Sequence, residues 1–260
     1  MPSVYAHYRF GAQLIGKMPP KVQRTVIRFR QLYDMGLHGP DLFDYQGSLG
    51  GGKLRDQLHS QTGEVFFQRV CRNLRLRPSE GARAYLYGLL AHYALDSLTS
   101  PYISRMAEQE KLSKDEIATE FDRYLLILDG KKPPHIQDLS GHMKLTPGEC
   151  ETVAALFPHV RAGAVKKSVE HMAAVTRLLA LPQGSKRQWL DKGARVMMPR
   201  VAGRLMSVHP NHICDAMNGN LQRLYDMATD RYPLLVEQVH NHLRKNAPLG
   251  PDFSVPFQTK

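Results

Sequence analysis

Residues 84–98, AYLYGLLAHYALDSL, place apolar side chains almost all the way round a helix, so this segment needs packing partners on every side. Such a helix is stable in water only at the centre of a larger helical assembly. The rest of the chain offers the partners. In KVQRTVIRFRQLYD (21–34), Val22, Val26, Phe29 and Tyr33 recur at spacings of three and four with arginines opposite, after Pro19-Pro20 and before Gly36. A second periodic run covers 64–74 and stops before Pro78, and the central helix starts at Ser79. Capping boxes mark further starts at Ser113 with Glu116, at Thr146 with Glu149 (Pro147 being the first helical residue), and at Ser185 with Gln188. Pro158 divides the region after Thr146, which predicts helices over about 160–181, 185–206, 210–229 and 233–246. No segment alternates as a strand does, and there is no linker or repeat. The expectation is one all-α, multi-helix domain over 1–260. It has irregular stretches at 35–53 and 129–146, a helical C-terminal half at 146–247 and an extended tail at 248–260.

Charge narrows the partners. Thirty-five Lys plus Arg against 24 Asp plus Glu give a net +11, which favours nucleic acid, an anionic membrane or a phosphate-bearing substrate. The basic residues are interspersed through many helices without aromatic interleaving, so nucleic acid is the least favoured of the three. Arg72, Arg75, Arg77 and Arg83 read as a solvated helix face, with phosphate contact as the lesser alternative. Cys71, Cys150 and Cys214 have no C-x-x-C spacing, which excludes a cysteine zinc finger and a dithiol redox site. The N-terminus lacks a secretory pattern, and the longest apolar stretches fall short of the roughly 20 residues that cross a bilayer. A soluble, cytoplasmic protein able to touch membranes is expected.

Four segments carry residue types that do chemistry. His92 and Asp96, at i and i+4 on the apolar helix, share one face and could share a divalent metal, or form a buried histidine held by its carboxylate. The glycine-rich turn GLHGPD (36–41) ends in Asp41, which could be a ligand or an ordinary turn residue. His59 follows a glycine run, and His7 sits in YAHYRFG. Together Asp41, His59, His92 and Asp96 form a two-His, two-carboxylate set suited to zinc or another first-row divalent ion, and His7 offers one further nitrogen.

This ordered set resembles the zinc-dependent phospholipase C family, whose all-helical fold is shared with the fungal single-strand nucleases. His7 in the N-terminal Y-x-H-Y-x-F-G, Asp41 ending G-L-x-G-P-D, Leu58-His59, and His92 and Asp96 in L-L-A-H-Y-A-L-D-S before Pro101-Tyr102 carry the resemblance, mostly within residues 1–128. The tail Asp252-Phe-Ser-Val is also similar to bacterial cytoplasmic members, and the C-terminal half matches only in helical pattern and around Asn218. The resemblance implies a phosphodiesterase that hydrolyses a phospholipid or related phosphodiester with zinc-bound hydroxide. Asp41, His59, His92 and Asp96 would hold the principal zinc, Asp41 doubling as bridge or base, and His7 with Asp96 would hold another. The family also carries a histidine beside P-Y and a later H-x-x-x-E, where this chain has Ser100, Ile103, Lys114 and Ala118. Lys114 is therefore assigned a fixed positive charge in place of a metal at a second site, with Glu116, Glu120, His135 and His142 as lesser substitutes. The same departures support the alternative of a relative without turnover that binds an anionic membrane or a partner.

Other conspicuous residues read as structural. Trp189 and the run Val196-Met-Met-Pro-Arg-Val suit packing at a helix kink, and His209-Pro-Asn-His212 caps the helix leading to Asn218. His240 and His242, two apart, face different ways on a helix.

Overall fold

The fully apolar segment becomes the middle of a 31-residue helix, and the other helices wrap it. The computed structural model describes residues 4–45, 53–180, 182, 184 and 203–257. Among them lie ten α-helices: α1 Val4–Leu14, α2 Pro20–Arg28, α3 Arg30–Gly36, α4 Lys53–His59, α5 Gly63–Leu76, α6 Glu80–Glu110, α7 Lys114–Leu128, α8 Pro147–Ala154, α9 Ala162–Leu179 and α10 Asp215–Lys245. The described residues contain no strand, only an isolated bridge between Thr62 and Pro256. Helix α6 packs against α1, α2, α3, α5, α7, α8 and α10, and every residue from Ala84 to Ser97 is buried. No helix among the described residues is long and apolar enough to cross a membrane.

Start signals in the sequence act as capping chemistry predicts. The Ser79 side chain accepts from the Ala82 amide and that of Ser113 from the Glu116 amide, while Thr146 and Glu149 form a reciprocal box with Pro147 at the first helical position. Three expectations are corrected. The helix read at 21–34 breaks at Phe29 (φ −115°, ψ 46°), because α2 buries only Val22 and Val26 while α3 buries every residue from Leu32 to Gly36. One straight helix could not present both patterns. The two helices expected over 210–229 and 233–246 are one, α10, which runs through Pro233. Proline forfeits one helical hydrogen bond there, but Thr229, Tyr232, Leu235 and Val236 keep both flanks buried. Residues 203–206, expected at a helix end, form turn and bend. The Ser185 box, Trp189 and the run 196–201 lie outside the described residues.

The contact that fixes the architecture is glycine on glycine. A Cβ on Gly88 of α6 would lie 2.3 Å from the Tyr33 carbonyl oxygen and 2.7 Å from the Gly36 Cα, and one on Gly36 would lie 2.3 Å from the Tyr85 carbonyl oxygen. Backbones therefore touch at this crossing, and α3 delivers the following loop directly onto α6. At the other end of the chain, the tail folds back onto α5 and α6. The Gly63 amide donates to the Val255 carbonyl, the Tyr93 hydroxyl sits 2.9 Å from the carbonyls of Asp252 and Val255, and Phe253 and Phe257 are fully buried.

Replacing Gly88 by Ala should cost stability despite the better helix propensity of alanine. The propensity gain is about 1 kcal/mol, against about 3 kcal/mol for forcing a methyl into backbone atoms that cannot retreat. Urea denaturation should show Gly88→Ala less stable by about 2 kcal/mol or more, and the exposed Gly219→Ala, whose Cβ meets nothing within 4 Å, more stable by about 0.5–1 kcal/mol.

Candidate metal centre

His92 projects from the buried middle of α6, and its position is set by a backbone carbonyl. Leu37 follows the glycine crossing, and its carbonyl oxygen lies 3.0 Å from His92 Nδ1. A carbonyl only accepts, so Nδ1 carries the hydrogen and Nε2 is the ring atom left for other chemistry. Gly39 then lets the loop pass over the imidazole. Its φ of +47° disfavours a side chain, and a Cβ there would lie 2.6 Å from His92 Cδ2. Two residues on, Asp41 sits in the 3₁₀ segment Gly39–Tyr45, its amide donating to the His38 carbonyl.

One turn beyond His92 on α6, Asp96 is fully buried. Its Oδ2 lies 3.2 Å from His92 Nε2 and its Oδ1 3.2 Å from His7 Nε2. His7 comes from α1 and stacks on His92, centroids 4.3 Å apart and planes within 14°. Asp122 of α7 holds α1 in this place by accepting from the amides of Tyr5 and Ala6 at 2.9 and 2.8 Å. On the other side, His59 at the end of α4 reaches Asp41 Oδ1 with Nε2 at 3.2 Å, and its ring meets Phe257 edge-on. The structure thus brings together all five residues that the sequence nominated as ligands. Donor atoms of His7, His92 and Asp96 lie within 4.8 Å of one another, as do those of Asp41, His59 and His92.

Are these buried ion pairs or a ligand set? The 3.2 Å distances suit hydrogen bonds, yet the angles do not. Among the described residues, His7 Nδ1 and Nε2, His92 Nε2 and both Asp96 oxygens are buried without a hydrogen-bond partner. A buried carboxylate with neither oxygen hydrogen-bonded is expensive unless a cation compensates it. Ligands held at zinc distances around a tetrahedron are spaced at roughly 3.3 Å, close to each separation seen here. The residues fit a divalent metal, and Leu37 serves as the outer partner that orients a ligating imidazole. Burial pushes the His7 imidazole down, and neighbouring His92 adds to that. Burial also disfavours charge on His92, but the carboxylates of Asp96 and Asp41 outweigh it and leave that ring above its ordinary value. Asp96, although burial opposes its charge, is held well below the usual carboxylate range by His92 and His7.

A cavity of about 90 Å³ opens beside the cluster, enough for several waters. His7, Asp41, His38, His135 and Asp122 line it, with apolar wall from Val4, Met172 and Leu179, and Arg204 near Asp44 and Asp115. Lys114 is not brought to it. That residue is exposed at the first position of α7 and is absent from the lining, whereas Ala118, one turn on, contributes to the wall. Glu116 and Glu120 are occupied elsewhere: Glu116 accepts from the Asn211 side chain, and Glu120 is buried against Arg123 and the Asn211 amide. Neither glutamate lines the cavity, so neither takes the substitute role. Sequence reasoning missed the Leu37 carbonyl, the Asp122 clamp, Arg204 and the Phe257 wall, none of which has a local signature. Comparison with family models, with curated proteins and with solved structures found no match to this chain.

His38 and His142 form a pair at the cavity margin, Nε2 to Nε2 at 2.7 Å, with Tyr8 stacked on His142. Only one ring can donate along that line, so the bond requires that they not both be charged. Burial, with Arg30 nearby, lowers His142 to about 4. Burial also lowers His38 well below its ordinary value, with His142 adding to the effect. A histidine depressed in the folded state contributes full stability above its unfolded value near 6.5 and loses it as pH falls toward the folded value. Denaturant melts should show stability falling from about pH 6.5 toward about pH 4, and His142→Gln should remove part of that slope.

Proposed function

We propose that the protein is a metal-dependent phosphodiesterase, of the zinc-dependent phospholipase C type, acting on a phospholipid or related phosphodiester. The observation that carries this reading is the fully buried Asp96, both of whose oxygens face imidazole nitrogens at 3.2 Å without hydrogen-bond geometry. The donors fall into two triads that share His92, Asp41–His59–His92 and His7–His92–Asp96, either of which would hold zinc, rather than into one four-residue set with Asp96 beside Asp41 and His59. When bound, zinc supplies Lewis acidity toward a phosphoryl oxygen and lowers the pKa of its water.

The chain's own residues do the rest. His92 is held in one tautomer by Leu37, and Asp122 fixes the first turn of α1, which carries His7, through the Tyr5 and Ala6 amides. Asp41, which lines the cavity, is the carboxylate we assign to accept the proton of the attacking water. The apolar wall of Val4, Met172 and Leu179 suits an acyl or alkyl substituent. A second reading, a zinc-stabilised binding protein without turnover, draws on Ala118 in the wall and Lys114 outside it.

Purified protein supplied with zinc should retain about one equivalent or more after dialysis and hydrolyse bis(p-nitrophenyl) phosphate. His92→Ala should lose the metal and about 100-fold or more of the rate. Zinc retained with no hydrolysis of that ester or of phosphatidylcholine would select the binding protein; no zinc retained would overturn both readings.

A further inference from the structure

The solvent face of α5 turns away from the metal centre. Its inner residues, Phe66 and Phe67, pack against Phe257, while Arg69, Arg72 and Arg75 recur every third residue on the outer side. These arginines line an open groove of about 580 Å³ whose other bank is the C-terminal end of α10, with His242 and Asn246. Elsewhere Arg9, Arg30, Arg123, Arg204 and Arg231 each pair with a carboxylate. In the groove no guanidinium has an acidic partner among the described residues, so three cations share one concavity uncompensated.

A solvated helix face, as the sequence suggested, accounts for their exposure but not for what stands opposite. Arg75 is already engaged, donating to the His242 carbonyl and to Asn246 Oδ1 at 3.2 and 2.9 Å, which ties the two banks together. His242 is only 5% exposed. Its Nδ1 lies 2.7 Å from the Ala247 carbonyl and therefore carries the hydrogen. Its Nε2 is buried and has no hydrogen-bond partner among the described residues. The groove thus presents the guanidinium forks of Arg69 and Arg72 with no carboxylate set against them, on a wall that Arg75 fixes to the end of α10.

We propose that this groove is a phosphate-binding site, in which Arg69 and Arg72 hold the phosphate oxygens. Guanidinium forks match phosphate oxygens two at a time, and Arg75 positions the second bank rather than touching the ligand. The same chemistry serves free phosphate and the phosphate monoester headgroup of a lipid. It is independent of the metal centre.

Titration calorimetry with inorganic phosphate, and co-sedimentation with phosphatidylcholine vesicles with and without phosphatidic acid, would test it. Both are run with zinc chelated, so that failure here leaves the metal reading untouched. Arg69→Gln/Arg72→Gln should weaken binding about tenfold or more, while the charge-matched Lys17→Gln/Lys167→Gln, on exposed positions of other segments, should not. Loss confined to inorganic phosphate assigns the site to the free anion, loss confined to phosphatidic acid vesicles assigns it to the headgroup, and loss of both assigns it to the shared group. No saturable binding by the unaltered protein, binding unchanged in the arginine variant, or equal loss in the lysine variant would overturn the proposal.

Discussion

Everything in the centre depends on how closely α3 approaches α6. The Gly36–Gly88 crossing lets two helix backbones meet, and the first residue beyond it, Leu37, offers its carbonyl to His92. That one acceptor decides which nitrogen of His92 is available. It also fixes the ring's plane, against which His7 stacks and over which the Gly39 loop carries Asp41. Few alternative arrangements can satisfy so many short contacts, because packed interiors adjust by discrete rearrangement rather than by yielding gradually.

Much of this was legible in the sequence because the signals are local. An i, i+4 histidine and aspartate on an apolar helix face each other whatever the rest of the chain does, and Ser79, Ser113 and Thr146 start helices through contacts three residues away. What was not legible depends on distance along the chain. Asp122 reaches α1 from more than a hundred positions away, and nothing in its neighbourhood distinguishes it from a solvated carboxylate. Prolines misled in one place for the same reason. Pro233 is a local argument for a helix end, overruled by burial on both its flanks. The family register falls on Lys114 and Ala118, but the face of α7 that lines the cavity carries Asp115, Ala118, Thr119 and Asp122, and Lys114, at the edge of that face and on the first turn, is exposed.

The net charge resolves into parts with different physical roles. Several arginines are structural, neutralised by carboxylates, as Arg9 is by Asp129 and Arg231 by Asp252. Others remain uncompensated in the α5 groove, outside the aromatic layer that backs the metal ligands. A single figure of +11 describes both and predicts neither. Where positive charge is left without partners informs about ligands; where it is paired informs about stability.

The aromatic lid has a bearing on the order of events in synthesis. All five candidate donors occur between His7 and Asp96, whereas Phe257, which packs against His59 and His92, arrives some 160 residues later. A chain emerging from its N-terminal side exposes these five side chains long before that wall. They are open to water on that side first, and are covered there only when the last segment docks on Tyr93.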